Sequence, residues 1–171
     1  MRIKALIQAL TGTSHIVCES IETDAAGTIN IIAYPDRKSQ YRCGICGKKS
    51  PGYDNGNGTR KWRCLDTGDA KAYIVAKAPR VCCKKHGVVT AFVPWARHKS
   101  RFCSSFEDTV AWLAVNSTKK CVAELMRIEW HTVGEILSRV YKELEKSLRY
   151  ALITLSISEL MIQVIRRGTN I

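Results

Sequence analysis

Two short spacings, Cys43-Gly44-Ile45-Cys46 and Cys83-Lys84-Lys85-His86, constrain this chain more than any other feature. Each sets two soft donor side chains three residues apart, so one tight turn can aim both at a single ion. Together they supply three thiolates and one imidazole, the donor set of a closed, four-coordinate zinc site. With all four positions filled by protein, none is left for water or a substrate, so the metal would hold a fold together and perform no chemistry. Cys82 directly precedes Cys83 and is a rival ligand, and Cys64 is another. Cys83 is preferred because it gives the Cys-x-x-His spacing.

The other cysteines could suggest a different framework. The chain has eight in all, an even number compatible with disulfides. The context argues for metal. The first ten residues carry Arg2, Lys4 and Gln8 and are too short for the apolar core of a secretory signal. No run of about 18 apolar residues exists to span a bilayer. The expectation is a cytosolic protein, not associated with a membrane, where thiols stay reduced and paired Cys-x-x-Cys and Cys-x-x-His bind zinc.

Charge is concentrated on the same stretch. From Arg37 to Arg101 there are 16 lysines and arginines against three acids, Asp54, Asp66 and Asp69. The remainder has 11 bases and 12 acids, so the formal net charge of +12 resides on the segment that carries the ligands. Such a patch is the footprint of a polyanion, and double-stranded DNA is the expected partner.

The pattern of the chain predicts an α+β fold: a β-rich zinc-ribbon-like module followed by a helical one. Residues 15–21 and 28–34 alternate as strands about the turn Asp24-Ala25-Ala26-Gly27, which predicts a hairpin. Residues 50–59 hold three glycines and a proline and read as a loop. Short strands are expected at 60–65, 70–76 and 80–82. Beyond Arg101 the period becomes helical. Phe106, Val110, Leu113 and Ala114 share one face, Ser117-Thr118 caps a second helix reaching Met126, and a break at 127–130 precedes a third. There Val133, Ile136, Leu137, Val140 and Leu144 recur at helical spacing. Two short helices, a tight turn and a longer helix fit a helix-turn-helix. The expected division is a hairpin segment at 1–36, a basic zinc-ribbon-like domain at 37–101, a helix-turn-helix domain at 102–150 and a tail at 151–171.

Candidate DNA contacts follow from this layout. In the ribbon they are Arg60, Lys61, Arg63, Lys84, Lys85, Arg97, Lys99 and Arg101, as cations facing phosphates. In the helical part Lys119 and Lys120 would grip backbone, while His131, Thr132 and Arg139 stand on the third helix, whose early residues reach base edges in such motifs. The plainer reading makes each group a solvated face. For Trp62 and Trp95 the plainer reading, a place in a small core, is preferred. Glu107 and Asp108 open a helix and read as acids meeting its dipole. No phosphate-cradling glycine loop and no nucleophile-base pairing stands out.

Beyond these readings, the chain resembles the N-terminal part of ISL-three family insertion-sequence transposases over roughly residues 15–145. The matching blocks are Cys43-Gly-Ile-Cys46-Gly47, Arg60 to Asp66, Pro79 to Val88, Val93-Pro94-Trp95-Ala96, Ser100-Arg101-Phe102, Phe106-Glu107-Asp108 through Ala114, and Val122 through Gly134. The resemblance implies a zinc module with ligands at Cys43, Cys46, Cys83 and His86, then a helix-turn-helix that binds element ends. It also implies a later catalytic domain with a DDE-type acidic triad and its divalent metal. Too little chain follows Tyr150 for such a domain, so that metal is not expected here, nor is strand cutting. The tail 151–171 lacks the likeness. One permitted set of codons for it, read from the third base, encodes a stretch resembling the family's approach to its first catalytic aspartate. A frameshifted reading of a transposase gene is therefore expected. The implied role is a DNA-binding fragment recognising terminal inverted repeats, able to pair with itself or with an intact transposase. The alternative is a free-standing zinc-dependent transcriptional regulator.

Overall fold

The computed structural model describes residues 7–8 and 11–168, with side chains through Arg149. Of the tail expected at 151–171 to be a frameshifted segment, residues 151–168 continue a helix and residues 169–171 lie outside the described residues. The chain forms two compact units, Met1–Thr109 and Val110–Ile171.

The first unit is built on two sheets. The hairpin forms as the alternation dictates: β1 (Ile16–Thr23) and β2 (Ile29–Pro35) pair antiparallel. The Asp24 carboxylate closes the turn by accepting from the Ala26 and Thr28 amides at 3.0 and 2.8 Å. The hairpin shares a sheet with the stretch that follows it. β2 pairs in parallel with β5 (Ala72–Lys77), and β5 pairs antiparallel with β4 (Thr59–Arg63), giving the order β1-β2-β5-β4. A parallel pair needs a long crossover. Here that crossover carries the first cysteine pair. The backbone of 101–103 runs beside β4, with the Arg63 amide bonded to Arg101 O and the Cys103 amide to Arg63 O.

Period-two alternation buries one face of this sheet. Ile31 and Ala33 from β2, Ala72, Ile74 and Ala76 from β5 and Trp62 from β4 enter one core with Ile16, Val93 and Trp95. Trp62 and Trp95 meet edge to face with centroids 5.6 Å apart. Both tryptophans are therefore core residues, as expected from the sequence.

The second sheet is small: β3 (Gly52–Asp54), β6 (Arg80–Cys83) and β7 (Gly87–Thr90), in the order β3-β6-β7 and antiparallel throughout. β3 falls inside the stretch expected to be pure loop. Three residues flanked by Pro51 and Asn55 show no alternation, and only pairing with β6 makes them a strand.

Three helices follow: α1 (Ser104–Asn116), α2 (Lys119–Leu125) and α3 (Trp130–Gly168). Thr118 caps α2, its side-chain oxygen accepting from the Cys121 amide at 3.3 Å. The end of α2 is a paired reverse turn. The Ile128 amide bonds to Ala123 O and the Arg127 amide to Glu124 O, with Arg127 in the left-handed region at φ 53°. That is the Schellman arrangement, with arginine at the position glycine usually takes. In this second unit α2 packs on α3, and Val122, Ala123, Met126, Val133, Ile136 and Val140 are buried. Leu144, placed on the apolar stripe from sequence, is 56 % exposed. α2 has seven residues, about 10 Å, and cannot cover α3 that far along its axis. Among the described residues no helix is long and apolar enough to cross a membrane.

Candidate metal centre and nucleic-acid surface

The two half-sites meet. Cys43 and Cys46 stand on a turn closed by the bonds Gly47 N–H to Cys43 O and Cys43 N–H to Lys48 O, both 2.9 Å, with Gly47 at φ 68°. Cys83 ends β6, and His86 lies in the turn to β7, where Gly87 takes φ 66°. An isolated bridge between Cys43 and Ala91 ties the two turns together.

The donor atoms of Cys43, Cys46, Cys83 and His86 all lie within 4.8 Å of one another. Cys46 Sγ is 3.8 Å from Cys83 Sγ, and His86 Nδ1 is 3.5 Å from Cys43 Sγ and 3.6 Å from Cys83 Sγ. Zn–S bonds of ~2.3 Å and Zn–N bonds of ~2.05 Å in a tetrahedron require S···S near ~3.8 Å and S···N near ~3.5 Å. Three of the six edges have those lengths and the rest lie within 4.8 Å, so the donor set fits a structural zinc ion. Backbone amides aim at the sulfurs: Ile45 N–H lies 3.4 Å from Cys43 Sγ. The Lys85 and His86 amides, joined by the His86 ring, lower the Cys83 thiol to about 6, favouring the thiolate a metal needs.

The rival cysteines lie elsewhere. Cys82 is exposed, because neighbours on a strand point to opposite faces. Cys64 is buried in the core with its Sγ 2.7 Å from that of Cys103. Contact with Cys64, followed by burial, pushes the Cys103 thiol up. All eight cysteines are free. Sequence reading missed the Cys64–Cys103 contact, since nothing local pairs two residues so far apart.

Gly44, between the first two ligands, is a position of close approach. A Cβ there would lie 2.6 Å from Thr90 O and 2.8 Å from His98 Nδ1. His98 thus backs the first knuckle. Burial, with the charges of Lys99 and Arg60, pushes its pKa down.

The candidate DNA contacts divide by burial. In the first unit Lys61, Lys84, Lys85, Lys99 and Arg101 are exposed, and half-buried Arg60 lies 5.3 Å over the Trp62 ring. Arg63 and Arg97 correct the expectation. Arg63 is 6 % exposed, sits 5.3 Å over the Phe106 ring and pairs with Asp66 at 3.1 Å. Arg97 spans two acids, Glu107 at 3.3 Å and Asp108 at 2.7 Å. Its head is committed to the fold and is not presented to a phosphate. Glu107 does more than meet a helix dipole: it is fully buried and also accepts from Ser100 Oγ at 2.8 Å.

In the second unit Lys119, Lys120 and His131 are exposed, and Arg139 is half-buried with Glu135 3.9 Å away. Thr132 corrects the expectation in the same way. It is 6 % exposed, on the buried side of the first turn of α3 with Val133 and Ile136.

Comparison with known proteins places these parts. Residues 39–86 match the family described as zinc-finger of transposase IS204/IS1001/IS1096/IS1165. Residues 93–141 match the helix-turn-helix domain of transposase family ISL3. Two curated relatives, the transposases for insertion sequence element IS1557 of Mycobacterium tuberculosis strains CDC 1551 / Oshkosh and ATCC 25618 / H37Rv, are each 46 % identical over 152 residues. The match covers 85 % of this chain and 34 % of each relative, so the chain spans about a third of the length of the relatives it matches. No solved structure matches the chain.

Proposed function

We propose that the chain, whose zinc-finger and helix-turn-helix segments match ISL3-family transposase models, is the DNA-binding part of such a transposase and recognises the terminal inverted repeats of an insertion sequence as duplex DNA. The observation that carries this reading is the turn between α2 and α3. It ends one short helix by a Schellman bond pair and starts a long one within four residues, leaving Lys119, Lys120 and His131 on the surface.

In this reading the first turn of α3 enters the major groove, where His131 reaches base edges and Arg139 stands further along. Lys119 and Lys120 hold backbone phosphate. The ribbon adds Arg60, Lys61, Lys84, Lys85, Lys99 and Arg101, which neutralise phosphates without reading sequence. One zinc ion, held by Cys43, Cys46, Cys83 and His86, cross-links the two turns and fixes where Lys84 and Lys85 stand. Two element ends must meet for transposition, so self-association or pairing with a longer transposase belongs to the same reading.

The test is an anisotropy titration of the full chain against a labelled duplex carrying the element's terminal repeat and against a scrambled duplex. The repeat is expected to bind at least ~30-fold tighter, since each mismatched pair costs ~1–3 kcal/mol. His131→Ala is expected to narrow that ratio, with little change on the scrambled duplex. Equal affinity for the two duplexes would remove the recognition role.

A further inference from the structure

The four-stranded sheet has a second face, opposite the core. The alternation that buries Ile31, Ala33 and Ile74 leaves Ile32, Tyr34 and Val75 on the other side. With Tyr41, Tyr53 and Phe92 these residues line a cleft of about 600 Å³ between this sheet and the ribbon sheet, all within the first unit. Tyr34 is 45 % exposed, and Tyr41 and Tyr53 are 59 % exposed. Single exposed aromatics are ordinary, but several gathered in one concavity mark a binding surface.

The walls of this cleft are basic. Lys77 and Arg80 line it, and the Arg80 guanidinium lies 5.5 Å over the Tyr53 ring while paired with Asp54. A second hollow of about 400 Å³ shares Gln40 and Tyr41 with the first and adds Arg37 and Lys49. Along this path four cations stand against two acids, Glu19 and Asp54, and Asp54 is already matched by Arg80.

An apolar peptide would use the rings and leave the cations unmatched. A duplex would use the cations but cannot offer base faces to the rings, because they are stacked inside it. An unpaired strand has both bare base faces and a phosphate chain, which is the combination that aromatic, basic grooves bind. We propose that this cleft binds single-stranded DNA, with bases stacked on Tyr41 and Tyr53 and phosphates held by Arg37, Lys49 and Lys77. The choice of DNA over RNA rests on the family reading above. The site itself is separate from the proposed duplex contacts.

The experiment titrates the full, zinc-loaded chain with a labelled oligothymidine dodecamer, an oligouridine of equal length and the terminal-repeat duplex. Oligothymidine is expected to bind, and the double variant Tyr41→Ala, Tyr53→Ala to weaken it by roughly tenfold or more, with duplex affinity held within about twofold. Tyr41→Phe with Tyr53→Phe keeps the rings and is expected to retain oligothymidine binding. Arg37→Gln with Lys49→Gln, on exposed side chains, is expected to weaken oligothymidine and serves if the alanine pair disturbs folding. Failure of oligothymidine to bind, indifference to both sets of variants, or preference for oligouridine would overturn the proposal. So would equal losses on oligothymidine and duplex. Failure of the duplex arm alone would count against the family reading and leave this one standing.

Discussion

Arg97 ties the loop before α1 to the start of that helix. Its guanidinium lies within 3.3 Å of Glu107, a carboxylate with no exposure, and 2.7 Å of Asp108. Removing one member of a buried pair leaves the other charge uncompensated, which costs ~3–5 kcal/mol. Arg97→Ala is therefore expected to destabilise the first unit by about that amount in denaturant unfolding, and a change under ~1 kcal/mol would show the pair to be dispensable. Gly44 carries a second residue-scale expectation. A methyl there meets a backbone oxygen at 2.6 Å and the His98 ring at 2.8 Å. Gly44→Ala should cost ~1–3 kcal/mol by overpacking and release zinc to a chelator sooner than the parent protein. The contrast in legibility lies here. Cysteine spacing revealed which four side chains converge, because two turns of fixed length set it. Basic residues gave no such guide: Arg63 and Arg97 read as surface cations, and it is Phe106 and Glu107, with Asp66 three residues from Arg63, that draw them inward.

At the scale of elements, periodicity located β1, β2, β4, β5, the first two helices and the start of α3 within a few residues, since each has a strong local pattern, but it did not carry α3 on to Gly168. It could not find the parallel pairing of β2 with β5, which joins residues some forty apart and depends on the crossover between them. Nor could it find β3, three residues made into a strand by β6. The ends of α2 were more legible at the start than at the finish. Thr118 is a favourable cap, whereas Arg127 occupies a left-handed position that an L side chain takes at a cost of ~1–2 kcal/mol. Two changes at this helix should therefore have opposite signs. Thr118→Ala is expected to lower stability of the second unit by ~1 kcal/mol. Arg127→Gly is expected to raise it by up to ~1 kcal/mol, reduced by whatever the arginine side chain contributes. Thermal unfolding followed by helical circular dichroism measures both. A fall in stability for Arg127→Gly would mean that the side chain's contacts outweigh the strain.

For the whole molecule, the governing quantity is the +12 formal charge and its confinement to the stretch from Arg37 to Arg101. Not every cation there can act on DNA, because Arg63 and Arg97 are bound to acids within the fold. Those that can act release counterions when they meet phosphates, so log affinity should fall linearly with log salt, by ~0.9 per phosphate neutralised. Lys84 and Lys85 give a direct measure. They are exposed, and they lie between the third and fourth ligands of the candidate zinc site. Lys84→Gln with Lys85→Gln should reduce the salt slope by up to ~1.8 and weaken terminal-repeat and scrambled duplexes alike. Chelating the metal should have a related effect by a different route: with the turns uncoupled, the two lysines lose their fixed positions, and the slope should fall while helical signal from the second unit persists. An unchanged slope in the lysine variant would move the phosphate contacts off the knuckle and onto Arg60, Lys61, Lys99 and Arg101. An unchanged slope after verified zinc loss would show that the metal stabilises the ribbon without positioning its charge.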